Sequence, residues 1–467
     1  MDHAQPSSRR QFLKLSGLAG AASILPGCVT VANTEVKPVG QAKNVIYLMV
    51  DGLCNGTVGL AHHWQLRHKA TPLNWMQLFE HEGLHRAYQD TASANSPVTD
   101  SAAAASAWGS GQRVNNGSIN VDPSGKSLKP ILSYAKEAGK ATGLVTSCRI
   151  THATPAGFST SVPKRGMEDA IAQQYLEREI DVLLGGGARH FLQTQEDGSV
   201  IDYIPQFEAK GYQIVKTASE LSAVRRGGSL LGLFSQSHIP YAIDRQNDRS
   251  YKDVPNLVDM FSAALNQLEG MKDGFVLQVE GGRVDHAGHG NDAGGILHEF
   301  LEFDACIPIA LEFIESHPDT MLVVTTDHGT GGCQLDGAGS AYLDSGPALD
   351  RINQLRHSFE WLQQGFEATG KFDPVLVKTA LGIVPTDTQA AIVQAALDAE
   401  VQYLSGALNQ AFGKQLKELT AVGWTSDKHT SECVELFAFG PGAELIPPLI
   451  KNYEIFGILT KALGIKV

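Results

Sequence analysis

Three apolar runs in the sequence end in side chains able to bind a metal. Val50 is followed by Asp51-Gly52, Val279 by Glu280-Gly281-Gly282, and Thr326 by Asp327-His328-Gly329. One carboxylate at a strand end is commonplace and usually caps a turn or helix. Three of them, each running into glycine directly or through His328, are poorly explained by chance. In open α/β sheets, ligands bind beyond the carboxyl ends of the strands. Asp285-His286-Ala287-Gly288-His289 follows the second run, and Asp285 and His289 share one side of a helical turn. Carboxylate oxygen and imidazole nitrogen are natural zinc ligands. Asp327-His328 and the isolated His429 could complete a second carboxylate–imidazole set, although His286 and His289 alone also read as solvated loop histidines.

Val98-Thr99-Asp100-Ser101 leads into the alanine-rich stretch Ala102 to Trp108. Alanines are strong helix formers, and Asp100 or Ser101 stands where an N-cap belongs. On that ground alone the pair is a good cap. Ser101 is also a candidate nucleophile, because the free N–H groups and positive dipole end of a helix favour phosphate and a developing alkoxide. A serine hydroxyl needs a base or a metal to activate it. No base lies near it in sequence, and metals would serve.

These residues need a frame. Val45 to Val50, Ala141 to Thr146, Ile180 to Leu184, Phe275 to Val279 and Met321 to Thr326 read as fully buried parallel strands. Between them lie helical patterns, including Leu128 to Ala138, Met167 to Arg178 and Leu297 to Glu315, the last interrupted by Pro308. This alternation predicts an α/β fold with a mostly parallel central sheet and helices on both faces. From about 334 to 422 the pattern turns helical, over Pro347 to Glu367, Thr388 to Glu400 and Gln402 to Leu419, and is read as an insertion, either a crown over the site or a structural pad. His62, His63 and His68 are assigned to a surface helix. Gly185-Gly186-Gly187 lacks the lysine and serine or threonine of a P-loop and reads as a strand-to-loop turn.

The 467 residues suffice for a large core, and 37 basic against 50 acidic side chains give a net charge of −13. Such a chain lacks the basic footprint of a nucleic-acid binder, so no specific nucleic-acid binding is expected. An anionic ligand would need local cations, and bound metals are the obvious ones. Arg9-Arg10 ahead of the short apolar stretch Leu15 to Leu25 forms a twin-arginine export signal, which implies the Tat machinery as a partner and a periplasmic or cell-envelope location. Leu25-Pro26-Gly27-Cys28 has the outline of a lipoprotein cleavage box, making Cys28 a candidate lipid anchor. Residues 1–28 are therefore set apart from one catalytic domain over 29–467. The six cysteines show neither zinc-finger spacing nor a disulfide framework.

Asp51-Gly52, Val98 to Trp108, Thr151 to Gly157, Glu280 to His286, Asp327-His328-Gly329 and His429-Thr430 together resemble, in order, the motifs of the alkaline phosphatase family. The resemblance spans residues 44–442. It implies that Asp285, His289 and His429 hold one zinc and that Asp327, His328 and Asp51 hold a second. Asp51, Thr154 and Glu280 would hold a third ion, usually magnesium, with His152 and His286 alongside. Imidazoles there favour zinc or another transition metal, which leaves that ion's identity open. Ser101 would be the nucleophile and Arg165 the phosphate clamp, although Lys164-Arg165 alone reads as an exposed pair.

The implied activity is hydrolysis of small phosphate monoesters through a seryl-phosphate, in a protein that is often a homodimer within the family. A phosphodiesterase or sulfatase of the same superfamily and an exported phosphate- or metal-binding protein are the alternatives. The sulfatase maturation motif is absent around Ser101, and binding alone needs no nucleophile.

Overall fold

A strand buried on both faces has no polar side to show, and all seven residues of Asn44–Val50 are buried. In the computed structural model, which describes residues 41–194, 198–337 and 342–467, this segment lies within a ten-stranded sheet. The strands in chain order are β1 Asn44–Val50, β2 His85–Asp90, β3 Ala141–Arg149, β4 Val182–Gly186, β5 Gln213–Val215, β6 Leu230–Leu233, β7 Phe275–Gly281, β8 Thr320–Thr326, β9 Val434–Phe439 and β10 Leu449–Lys451. Their order across the sheet is β10-β2-β9-β8-β1-β7-β3-β4-β6-β5. Only β9 runs against its neighbours, β8 and β2; the other pairs are parallel. Residues 1–40, with the twin arginine and Cys28, lie outside the described residues.

Register brings the site-bearing strand ends level. Val50 pairs with Thr326 of β8 on one side and Gly281 of β7 on the other. Asp51, Asp327 and Glu280 therefore gather at one edge of the sheet. Alternation along β1 divides the core: Ile46, Leu48 and Val50 join the apolar layer on one face, while Val45, Tyr47 and Met49 join the layer on the other. Helices cover both.

The helices that matter below are α1 Asn55–Lys69, α2 Ser101–Ser110, α3 Ala153–Ser159, α4 Arg283–Gly290, α5 Ala293–Asp304 and α6 Cys306–Ser316, then α7 Gly346–Arg351, α8 Phe359–Glu367, α9 Pro374–Leu381, α10 Asp387–Asp398 and α11 Ser405–Thr420. The long helix expected over Leu297 to Glu315 is divided at Ala305, and Pro308 sits in the first turn of α6, where its missing N–H removes no helical bond. His62, His63 and His68 lie on α1. The helices of the 334–422 region reach α4 and its flanks: Asn409 Nδ2 donates to Gly290 O at 2.6 Å, and Phe359 N donates to Asp292 Oδ2 at 2.8 Å.

Candidate active site

Ser101 is the first residue of α2, and Asp100 is its cap, accepting a hydrogen bond from Ala103 N at 2.9 Å. The serine hydroxyl is buried and lies 3.4 Å from Asp51 Oδ1 and 3.3 Å from His328 Nε2. Asp51 is delivered by β1 and Asp327-His328 by β8, and all three are inaccessible. Gly52 and His328 donate their backbone N–H groups to Asp327 Oδ1 at 3.0 and 2.9 Å, which leaves Oδ2 facing inward. Gly52 has φ +75° and its missing Cβ would lie 2.7 Å from Asp285 Cα, so only glycine lets β1 turn here against α4.

The potential ligand atoms form sets whose members lie within 4.8 Å of one another: Asp285, His289 and His429; Asp51, Asp327 and His328; and Asp51, His152 and Glu280. His429 thus joins Asp285 and His289, while its ring also stacks on His328 with centroids 3.8 Å apart. Backbone carbonyls fix the tautomers in the first set. Asp427 O lies 2.7 Å from His289 Nδ1 and Thr99 O lies 2.8 Å from His429 Nδ1. If each Nδ1 carries the proton, the two Nε2 lone pairs face each other across 3.0 Å, with Asp285 Oδ1 3.4 Å from both. That convergence calls for positive charge between the rings, a proton shared with Asp285 or a metal cation, and it is the orientation that metal-binding histidines show.

The other two sets carry the same signature. Asp51 Oδ2, Asp327 Oδ2, Glu280 Oε1, Thr154 Oγ1 and His152 Nδ1 are buried atoms without a hydrogen-bond partner among the described residues. Buried polar groups are normally paired, so five such atoms gathered in one place fit a cation-binding role. Burial, reinforced by Asp285, pushes Asp327 up to about 7, and burial lifts Glu280 to about 7 against the bond from Thr146. Burial opposes ionisation of Asp285 too, but His289 and His429 outweigh it and hold that carboxyl well below its ordinary value. Burial likewise disfavours a charged His429, yet Asp285 raises the ring to about 9. The first two sets offer carboxylate and imidazole and the third mainly oxygen with the His152 ring, donors that divalent metal ions take.

Arg165 is tied down by its neighbours. Nη1 donates to Asp100 Oδ2 at 3.1 Å, and Nη2 lies 3.0 Å from His152 Nε2. Its guanidinium is thereby directed to the Ser101 end of α2. His286 turns elsewhere: its ring meets His238 at 4.4 Å and His152 at 5.5 Å, and it groups with Cys148 and His238. Residues that the sequence reading passed over are Thr330, whose hydroxyl donates to Asp285 Oδ1 at 2.5 Å, and Thr146, which donates to Glu280 Oε2 at 2.5 Å. Asp100 was read only as a cap. Cys148, near a strand end, carried a signal in sequence; His238, alone in a loop, carried none.

A family model described as alkaline phosphatase matches residues 42–465. The chain is 33% identical to alkaline phosphatase 3 of Bacillus subtilis (strain 168) over 467 residues, covering 97% of each. It resembles the crystal structure of Thermus thermophilus alkaline phosphatase with a TM-score of 0.83 and 34% identity, over 95% of this chain and 96% of that one. With the cold-active alkaline phosphatase of a psychrophilic Shewanella sp. the TM-score is 0.75 and the identity 30%, over 90% and 99%.

Proposed function

We propose that this chain, which belongs to the alkaline phosphatase family and is a metal-dependent phosphoric monoester hydrolase, works through a seryl-phosphate formed on Ser101. The observation that carries the reading is the location of the Ser101 hydroxyl, between Asp51 and His328 at the N-terminus of α2. Its oxygen attacks phosphorus, forming the serine ester as the bond to the leaving oxygen breaks. Water then cleaves the serine ester, releasing phosphate and restoring the hydroxyl. Arg165 holds two phosphoryl oxygens with its planar fork and so selects a terminal, dianionic phosphate. The free N–H groups at the start of α2 add to that charge.

Asp285, His289 and His429 would hold one zinc, Asp51, Asp327 and His328 a second, and Asp51, Thr154 and Glu280 a third ion, magnesium, with His152 beside it. Bound there, the ions would supply Lewis-acid charge that activates the nucleophile and stabilises the leaving oxygen. His286 is a neighbour of the third set. Arg9-Arg10 and the following apolar stretch support delivery through the Tat machinery to the periplasm or envelope, with Cys28 a candidate anchor. A homodimer is a candidate assembly, since the family is often dimeric although some members are monomeric.

The test compares an aryl phosphomonoester with its diester from neutral to alkaline pH, with zinc and magnesium and with a chelated control. Chelator-sensitive monoester cleavage, with phosphate trapped on Ser101 after acid quench, is expected. Preference for the diester would move the protein to a phosphodiesterase reading.

A further inference from the structure

Cys148, His238 and His286 belong to three different elements, and none of them is given a ligand's role above. Cys148 is the penultimate residue of β3, His286 lies on α4, and His238 comes from the loop after β6. That loop is fixed in place, since Ile239 N donates to Ser147 O at 3.1 Å and Gly187 N donates to Ser237 O at 2.7 Å. One ligand atom from each of the three side chains lies within 4.8 Å of the other two. The thiol is fully buried, whereas the two imidazoles are partly exposed, so the cluster is open on one side. A Cβ on Gly282 would meet Cys148 Sγ at 2.6 Å, and glycine there leaves room around the sulfur.

The positive charges around this place are partly offset by carboxylates. Of the two nearby guanidinium groups, Arg149 is held bidentately by Glu168, with Nε to Oε2 at 2.8 Å and Nη2 to Oε1 at 2.6 Å. Arg283 is paired with Glu360 Oε2 at 2.7 Å. The His152 ring packs edge-on against both His238 and His286, at 5.6 and 5.5 Å, so the cluster adjoins the third set without sharing its donors. One contact must give way, because Arg149 Nη1 touches His238 Nε2 and its backbone N–H points at Nδ1. A neutral imidazole accepts only one hydrogen bond, so it cannot satisfy both donors.

We propose that Cys148, His238 and His286 form a fourth metal site, selective for zinc or another thiophilic divalent cation, that ties the loop after β6 to β3 and α4. Thiolate and imidazole prefer such ions to magnesium or calcium, which take oxygen. Binding releases the thiol proton to solvent and forms the metal–sulfur bond. Bonds of about 2.0–2.3 Å require the three side chains to close by roughly an ångström. The bound ion would add positive charge behind His152 and Arg165.

The full chain loaded with cobalt(II) in place of zinc tests this directly. A thiolate-to-cobalt charge-transfer band in the near ultraviolet is expected in the parent and lost in Cys148→Ser. Zinc content should fall by one ion per chain in Cys148→Ser. His238→Gln, which leaves the buried strand untouched, should weaken the same ion by at least ~10-fold. The sets around Ser101 contain only oxygen and nitrogen donors, so the band reports this site whether or not they hold metal. No band in the parent, or a band and zinc content unchanged in both variants, overturns the proposal. Should Cys148→Ser fail to fold, His238→Gln decides.

Discussion

The Ser101 hydroxyl has few neighbours, and each has a different consequence when removed. Ser101→Ala deletes the oxygen that lies between Asp51 and His328 while leaving the Asp100 cap in place. Turnover of an aryl phosphomonoester should drop at least ~10²-fold, in the range seen when single catalytic groups are lost. Full activity in that variant would dismiss Ser101 as nucleophile. Arg165→Ala should raise KM and weaken inhibition by inorganic phosphate, with a smaller change in Tm than in binding. Arg165→Lys should rescue little, because an ammonium presents its hydrogens from a single nitrogen and cannot reproduce the planar fork that reaches two phosphoryl oxygens and Asp100 together. Thr330→Val leaves Asp285 Oδ1 short of a buried hydrogen bond and should weaken retention of the zinc at Asp285, read as faster loss to a chelator.

Helices α2 and α3 carry Ser101 and Thr154, and they meet through glycine. A Cβ on Gly109 would lie 2.0 Å from Gly157 O, and one on Gly157 would lie 2.5 Å from the Ala105 Cβ. Gly109→Ala should therefore push the two helices apart, costing about 1–3 kcal/mol and lowering kcat. Gly59→Ala on α1, where nothing lies within 4 Å, should be neutral or slightly stabilising in the same thermal melt. On α5, Glu299 is buried, accepts from Ala242 N at 2.6 Å and sits near Glu302; burial and that neighbour raise it to about 7. A carboxyl so raised is tolerated while protonated and costs stability as pH climbs from its ordinary 4.5 through about 7. The Tm of Glu299→Gln relative to the parent should thus rise across that interval at constant zinc and magnesium. Strands such as Asn44–Val50 and Thr320–Thr326 were readable because both their faces are buried and, after Asn44, every residue is apolar, tyrosine or threonine. His85–Asp90 was not, since its exposed positions carry Arg86 and Tyr88 and only pairing with β9 and β10 makes it a strand. Helix α9 was missed for a similar reason: it is short, and its apolar residues include the exposed Val375. The candidate ligands were legible as strand-end carboxylates and a local i,i+4 pair, but Thr330 and His238 acquire meaning only through contacts distant in sequence.

At the scale of the whole molecule, the sets around Ser101 bind together β1, β7, β8, α3, α4 and the segment before β9. Metals bound there stabilise the fold by mass action, about 4 kcal/mol for one ion at a thousand times its Kd. Chelation should lower Tm by several degrees and zinc with magnesium should restore it; an unchanged melt would mean the ions are not part of the folded state. The antiparallel strand β9 follows closely on His429, and the last strand, β10, pairs with β2, whose end is also held by Asn452 Nδ2 donating to Thr91 O at 3.0 Å. A ribosome reading from the N-terminus has already released β1 and Ser101 long before it makes these pieces. The nascent chain therefore carries an open sheet edge along β8, and the set around Asp285 lacks a member, until residues 429–439 have been made. Retention of an ion there would thus report that synthesis has passed His429, and a chain cut short before it would betray itself by failing to keep the ion at Asp285 and His289.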